Sequence, residues 1–137
     1  MSDPVKHPAH YGRGRFGIEC IAFARWLTFP AGNAFKYVWR HEDKGKPIED
    51  LSKALQYLEW ANDDDFLDLW PVGPVVSKQA RFHLELLTRD FLLPNLPYHD
   101  MVYTALEDII NGEYSRAKHR IEERIFSIRS VEAGRSE

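Results

Sequence analysis

The chain reads as an all-α protein: a compact helical domain of about six helices, with an extended N-terminal arm and a C-terminal helical hairpin. Three observations predict this. Apolar residues recur at helical spacing in successive stretches, and proline and glycine fall between those stretches. No stretch alternates apolar and polar residues over the length of a strand. A hydrophobic fraction of 44%, with eight Phe, four Trp and six Tyr, supplies a core and argues against disorder in 137 residues.

The elements follow in chain order. Pro4, Pro8, Gly12 and Gly14 forbid a long regular element over residues 1–16, which makes the arm. Ile18, Ile21, Ala22 and Trp26 stand at helical spacing behind Gly17. Pro30 sits where a first helical turn tolerates proline, ahead of a helix over 33–42. Lys44-Gly45-Lys46-Pro47 breaks the chain. Residues 48–61 are strongly amphipathic, with Leu51, Ala54, Leu55 and Leu58 inward and Asp50, Lys53 and Tyr57 along one flank.

The acidic turn Asn62-Asp63-Asp64-Asp65 and the breaker over 70–74 mark a change of composition. We place a boundary there, between a helical domain over 1–64 and an accessory helical module over 65–137. Ser77 is positioned to cap a helix to about Leu92, with Phe82, Leu86 and Leu87 for packing. Pro94 and Pro97 end it. Residues 98–110 and 113–128 form the hairpin, turning at Asn111-Gly112, where glycine takes a left-handed conformation.

Composition narrows the function classes. Cys20 is the only cysteine, which excludes an internal disulfide and a multi-cysteine zinc site and suits a reducing cytoplasm. The longest apolar runs fall far short of the roughly 20 residues a membrane helix takes. Met1-Ser2-Asp3-Pro4 has no signal-peptide core, so a cytoplasmic protein with no membrane partner is expected. The net charge of −3 is unevenly spread: residues 6–53 carry nine Lys or Arg against five Asp or Glu, and the remainder nine against sixteen. That pattern points to a local anionic ligand rather than a broad nucleic-acid surface, and no recognition-helix signature stands out.

The segment 32–41 carries the sharpest signal. As a helix it aligns Asn33, Lys36, Tyr37, Arg40 and Lys44 on one stripe and turns Ala34, Phe35 and Val38 away for burial. Arg offers a planar fork for phosphate oxygens and Lys a compact charge. Tyr37 or Trp39 offers a ring for stacking. The stripe suits an anion beside a planar ring, as in a nucleotide; the plain alternative is a solvated face with Tyr37 at its margin. Gly32, just before it, offers a ligand close approach to the backbone near a helix start.

Other residues extend the set. His7-Pro8-Ala9-His10-Tyr11 is equipped to bind phosphate, stack on a base, shuttle protons or ligate a metal, against the plain reading of an exposed arm. No third Cys or His lies at zinc-site spacing. Glu19, Glu49 and Asp50 are the acids that Mg²⁺ would recruit beside substrate phosphates, although Glu49 and Asp50 equally suit a helix N-terminus. Gly12-Arg13-Gly14-Arg15 lacks the spacing and ending of a Walker loop. Arg116, Lys118, Arg120 and Arg124, interleaved with Glu113, Glu122 and Glu123, read as a solvated, ion-paired face. Trp26, Trp39, Trp60 and Trp70 read as core or interface anchors.

Taken in order, His7-Pro-Ala-His10-Tyr11, Gly17-Ile-Glu19-Cys-Ile21, Gly32-Asn33-Ala-Phe-Lys36-Tyr37-Val-Trp39-Arg40, Lys44 and Glu49-Asp50-Leu51-Ser-Lys53-Ala54-Leu-Gln-Tyr57-Leu58 form a pattern. It resembles a bacteriophage family long filed as a domain of unknown function, which includes the Walker-loop-less nucleotide kinase of T7-like phages. The resemblance covers about residues 5–61. It implies a phage protein acting on nucleotides in the bacterial cytoplasm, and the favoured activity is a kinase-like phosphotransferase on deoxynucleoside monophosphates. By that resemblance Lys36, Arg40 and His10 are the catalytic candidates. His7, Tyr11, Asn33, Tyr37, Lys53 and Tyr57 are the substrate-binding ones, and Glu19 or Asp50 would hold Mg²⁺, with ATP or another nucleotide as donor. One short domain encloses two nucleotides poorly, so a homo-oligomer is expected. Two alternatives stand beside the kinase: a non-catalytic protein that sequesters a nucleotide or nucleotide signal, and an all-α metal-dependent nucleotide pyrophosphatase.

Overall fold

Helix boundaries fall where backbone chemistry puts them. The computed structural model describes residues 17–62, 77–97 and 100–136; the N-terminal arm and the 70–74 breaker, with Trp70, lie outside the described residues. Among the described residues, six α-helices of four residues or more follow: α1 (Ile21–Ala24), α2 (Phe29–Arg40), α3 (Pro47–Ala61), α4 (Lys78–Leu87), α5 (Ala105–Ile110) and α6 (Tyr114–Ser136). No strand occurs among the described residues. The fold is all-α, as its periodicity predicts.

Several boundaries differ from expectation for local reasons. The first helix is a single turn, because the Trp26 and Leu27 N–H groups bond back three residues, to the Phe23 and Ala24 carbonyls. Helix α2 starts four residues early: Thr28 is extended and Pro30 occupies the first turn, so the helix is under way before Asn33. Ser77 caps α4 as expected, its Oγ accepting the Ala80 N–H at 3.0 Å. Beyond Leu87 the chain continues as a π-helical turn, Thr88–Leu92, then Leu93–Asn95. The widened turn falls where Pro94 withholds the N–H that an α-helical turn would give to the Asp90 carbonyl.

Packing on α4 also departs from expectation. Phe82 is exposed, whereas Leu87 packs against the core as expected; the fully buried positions are Ala80 and Leu84, with Leu92 in the π turn. A 3₁₀ turn, Met101–Thr104, opens with the Asp100 carboxylate accepting the Val102 N–H at 3.2 Å and runs into α5. Gly112, at φ +75°, makes the α5–α6 turn. Part of the charge row on α6 is not merely solvated. Arg120 Nε donates to Asp108 Oδ2 at 2.8 Å, and Arg116 approaches Asp108 Oδ1 at 3.9 Å, pinning α6 to α5. Burial pushes the Asp108 carboxyl up, against the pull of these two cations.

One buried cluster joins these elements on both sides of residue 64. Phe23 of α1, Phe35 and Trp39 of α2 form an aromatic knot, with centroids 5.5–5.9 Å apart. Leu51 and Leu58 of α3, Leu84, Leu106, Ile109 and, on α6, Ala117, Ile121 and Ile125 complete it. Each fully buried Leu or Ile contributes about 1.5–3 kcal/mol. This packing holds α2 and α3 side by side, and their shared outer face carries the candidate site.

A cationic and aromatic face on the second and third helices

The stripe on α2 and the flank of α3 meet. Tyr37 and Tyr57 stack across the seam, centroids 5.8 Å apart and planes 17° from parallel. Three cations surround the Tyr37 ring: Lys36 Nζ at 4.5 Å, the Arg40 guanidinium carbon at 4.8 Å and Lys53 Nζ at 5.5 Å. Lys36, Tyr37, Arg40, Lys53 and Tyr57 are thus one constellation, built by two helices from residues up to 21 positions apart in the chain.

The cations differ in reach. Arg40 is buried, and its Nη2 lies 3.6 Å from Asp50 Oδ1. Lys53 is the most open: its side chain retains 45% exposure and sits 3.4 Å from Glu49. Lys36 is half-buried. Lys36 and Lys53 are therefore more accessible to solvent than the buried Arg40.

Asn33 belongs to the face but spends an amide N–H on its own helix, donating to the Phe29 carbonyl at 2.8 Å. Glu19 is half-buried just before α1 and is not free of partners. Its neighbour Cys20 feels both Lys36 and Arg40, yet burial dominates and pushes the thiol up to about 12. His7, His10 and Tyr11 lie outside the described residues.

Three expectations are corrected by position. Trp39 offers no ring for stacking, because it is 1% exposed within the aromatic knot. Gly32 serves helix packing rather than a ligand: a Cβ there would stand 3.0 Å from the Ala24 carbonyl oxygen of α1. Trp60 is no core anchor either, being exposed at the edge of the site.

Two aromatic residues join the face that sequence reasoning did not assign. Exposed Phe29 meets Tyr57 edge-on at 6.1 Å, and Trp60 meets it at 5.2 Å. The signal for Phe29 was present: it precedes Asn33 by four residues and continues the stripe once the helix is started at its true end. Trp60 follows Tyr57 by three residues on α3.

Mg²⁺ fits the described carboxylates of this face poorly. Asp50 is buried and faced by a guanidinium, so a dication there would sit against a fixed positive charge without room for the waters Mg²⁺ retains. Glu49 is engaged by Lys53 at 3.4 Å and Lys46 at 4.0 Å.

Comparison with known proteins bears on the same stretch. Residues 5–59 match a family described as a protein of unknown function (DUF3310). The match takes in α1, α2 and nearly all of α3, hence the whole face apart from Trp60. No curated protein and no solved structure matches the chain. Among the described residues, no helix is long and apolar enough to cross a membrane.

Proposed function

We propose that the α2–α3 face binds a nucleotide, and that the chain is a phage deoxynucleoside monophosphate kinase-like phosphotransferase. The observation that carries the reading is the convergence of Lys36, Arg40 and Lys53 on the Tyr37 ring. Phosphoryl transfer depends chiefly on positioning and on neutralising charge as it develops, which cations held by a rigid seam supply. Lys36 and Lys53 take phosphate oxygens, and Arg40 adds charge from below.

Asp50 acts in this proposal through Arg40, as a positioning residue. The faces of Tyr37 are already engaged by Tyr57 and the cations, so a base stacks on the exposed rings of Phe29 or Trp60. Mg²⁺ enters with the phosphates of the donor nucleotide. A second copy of the chain is proposed to close the open outer side of the face.

The test is to incubate the protein with each deoxynucleoside monophosphate, ATP and Mg²⁺ and to resolve the products by chromatography. Formation of diphosphate that is lost in Lys36→Ala supports the kinase. Ligand retained unchanged supports the sequestering reading, and pyrophosphate release from triphosphates supports the hydrolase; either outcome overturns the kinase.

A further inference from the structure

We propose a second site, for a divalent metal ion of the zinc type, at the C-terminal end of α2, formed by His41, Glu42 and Asp100. One ligand atom from each residue lies within 4.8 Å of the others. The site does not rest on the nucleotide reading, and it shares no residue with the cationic face. Arg40 turns to Asp50 on α3, while His41 packs against Tyr103, ring centroids 5.1 Å apart.

The argument starts from the imidazole. His41 caps α2 and is fully buried, with Nδ1 2.6 Å from the Val38 carbonyl oxygen. A carbonyl only accepts, so Nδ1 carries the hydrogen, and in the neutral form of the ring the lone pair is on Nε2. That atom lies 4.0 Å from Glu42 Oε1, and Asp100 brings a second carboxylate into the same space. Nε2 and the two carboxylates thus turn electron-pair donors toward one space, which a proton on Nε2 or a metal cation would bridge. One imidazole nitrogen and two carboxylate oxygens are a ligand set for Zn²⁺, with the remaining position left to water.

The ligands are held from behind. Tyr103 Oη donates to Glu42 Oε1, and Asp100 Oδ1 accepts the Val102 N–H at 3.2 Å. Hydrogen bonds of this kind orient metal ligands and tune their basicity. The carbonyl end of the twelve-residue α2 adds a dipole that favours a cation. In front lies a cavity of about 400 Å³, lined by Glu42, Asp100, Glu123 and Ser127 among others, with room for water ligands. Arg120 and Arg124 share that wall, and Arg124 Nε is 3.6 Å from Asp100 Oδ2. These cations oppose the ion and set its affinity below that of a closed structural zinc site.

The test titrates Zn²⁺ into chelator-treated, dialysed full-length protein by calorimetry, with Co²⁺ absorption as a second probe of ligation. One Zn²⁺ per chain is expected. Glu42→Gln and Asp100→Asn should each weaken binding by about tenfold or more while circular dichroism stays native. Glu42 is chosen because its side chain is 45% exposed, whereas replacing buried His41 risks the fold. His119→Gln removes the other described His–Glu pair, at 3.1 Å on α6, and should leave binding unchanged. Absence of stoichiometric binding, or binding that survives both Glu42→Gln and Asp100→Asn, overturns the site and leaves the three residues as an ion-paired cluster.

Discussion

Arg40 and Asp50 face one another across the α2–α3 seam, Nη2 to Oδ1 3.6 Å, both less than a tenth exposed. The pair fixes a guanidinium beneath the Tyr37 ring and, through it, ties the charged face to the packing of two helices. Asp50, a metal-ligand candidate by its sequence position, faces this guanidinium in the fold.

Breaking that pair should cost stability. Asp50→Ala leaves a buried guanidinium without this carboxylate, and about 3 kcal/mol of destabilisation is expected. The double variant Arg40→Met, Asp50→Leu should recover much of the loss, because it removes both buried charges. Urea unfolding followed by tryptophan fluorescence measures both. A double variant no better than the single one would mean that the two residues act separately.

Gly32→Ala sets two effects against each other. Alanine gains about 1 kcal/mol over glycine in a helix interior, whereas overpacking costs about 1–3 kcal/mol. The new methyl would meet a backbone carbonyl, Ala24 O at 3.0 Å, which cannot swing aside as a side chain would. A net loss of about 1 kcal/mol is expected from overpacking. A rise in Tm would show that α1 yields.

These two cases mark what could be read from the chain alone. Period and caps located α3, the Ser77 cap and the Gly112 turn, because each is decided within a few residues. The stripe Asn33, Lys36, Tyr37 and Arg40, and the flank Asp50, Lys53 and Tyr57, were each visible as helical spacing. Their meeting was not, since it depends on how α2 and α3 pack. For the same reason Gly32 looked like a ligand approach until α1 was seen against it. The grouping of His41, Glu42 and Asp100 is not legible in the sequence, because nearly sixty residues separate the third from the first two. Trp39 suits both a core anchor and a stacking ring by its sequence position; only its burial separates the two.

Cys20 should be silent in the native state. Its thiol is buried and raised from 9.0 to about 12, so a thiol reagent at pH 8 should react only as the protein unfolds. The same shift makes stability depend on alkaline pH. The unfolded chain ionises above its ordinary value while the folded chain does not, so stability is intact below about 9 and falls as pH rises toward about 12. The loss approaches about 1.4 kcal/mol per pH unit within that window. Cys20→Ala should flatten its lower part; burial likewise raises Tyr114 from 10.0 to about 12, so its share remains above 10. Rapid native labelling of Cys20 would contradict the burial.

The most direct test of the central claim is equilibrium binding of deoxynucleoside monophosphates by calorimetry, comparing the unaltered chain with Lys36→Ala and Lys53→Ala. These two cations are reachable and, unlike Arg40, are not buried in the seam, so the fold should survive their loss. The account predicts saturable binding that weakens with added salt and falls about tenfold in each variant, one lost charge-assisted contact apiece. No binding by the unaltered chain, or equal binding by both variants and the unaltered chain, would contradict it.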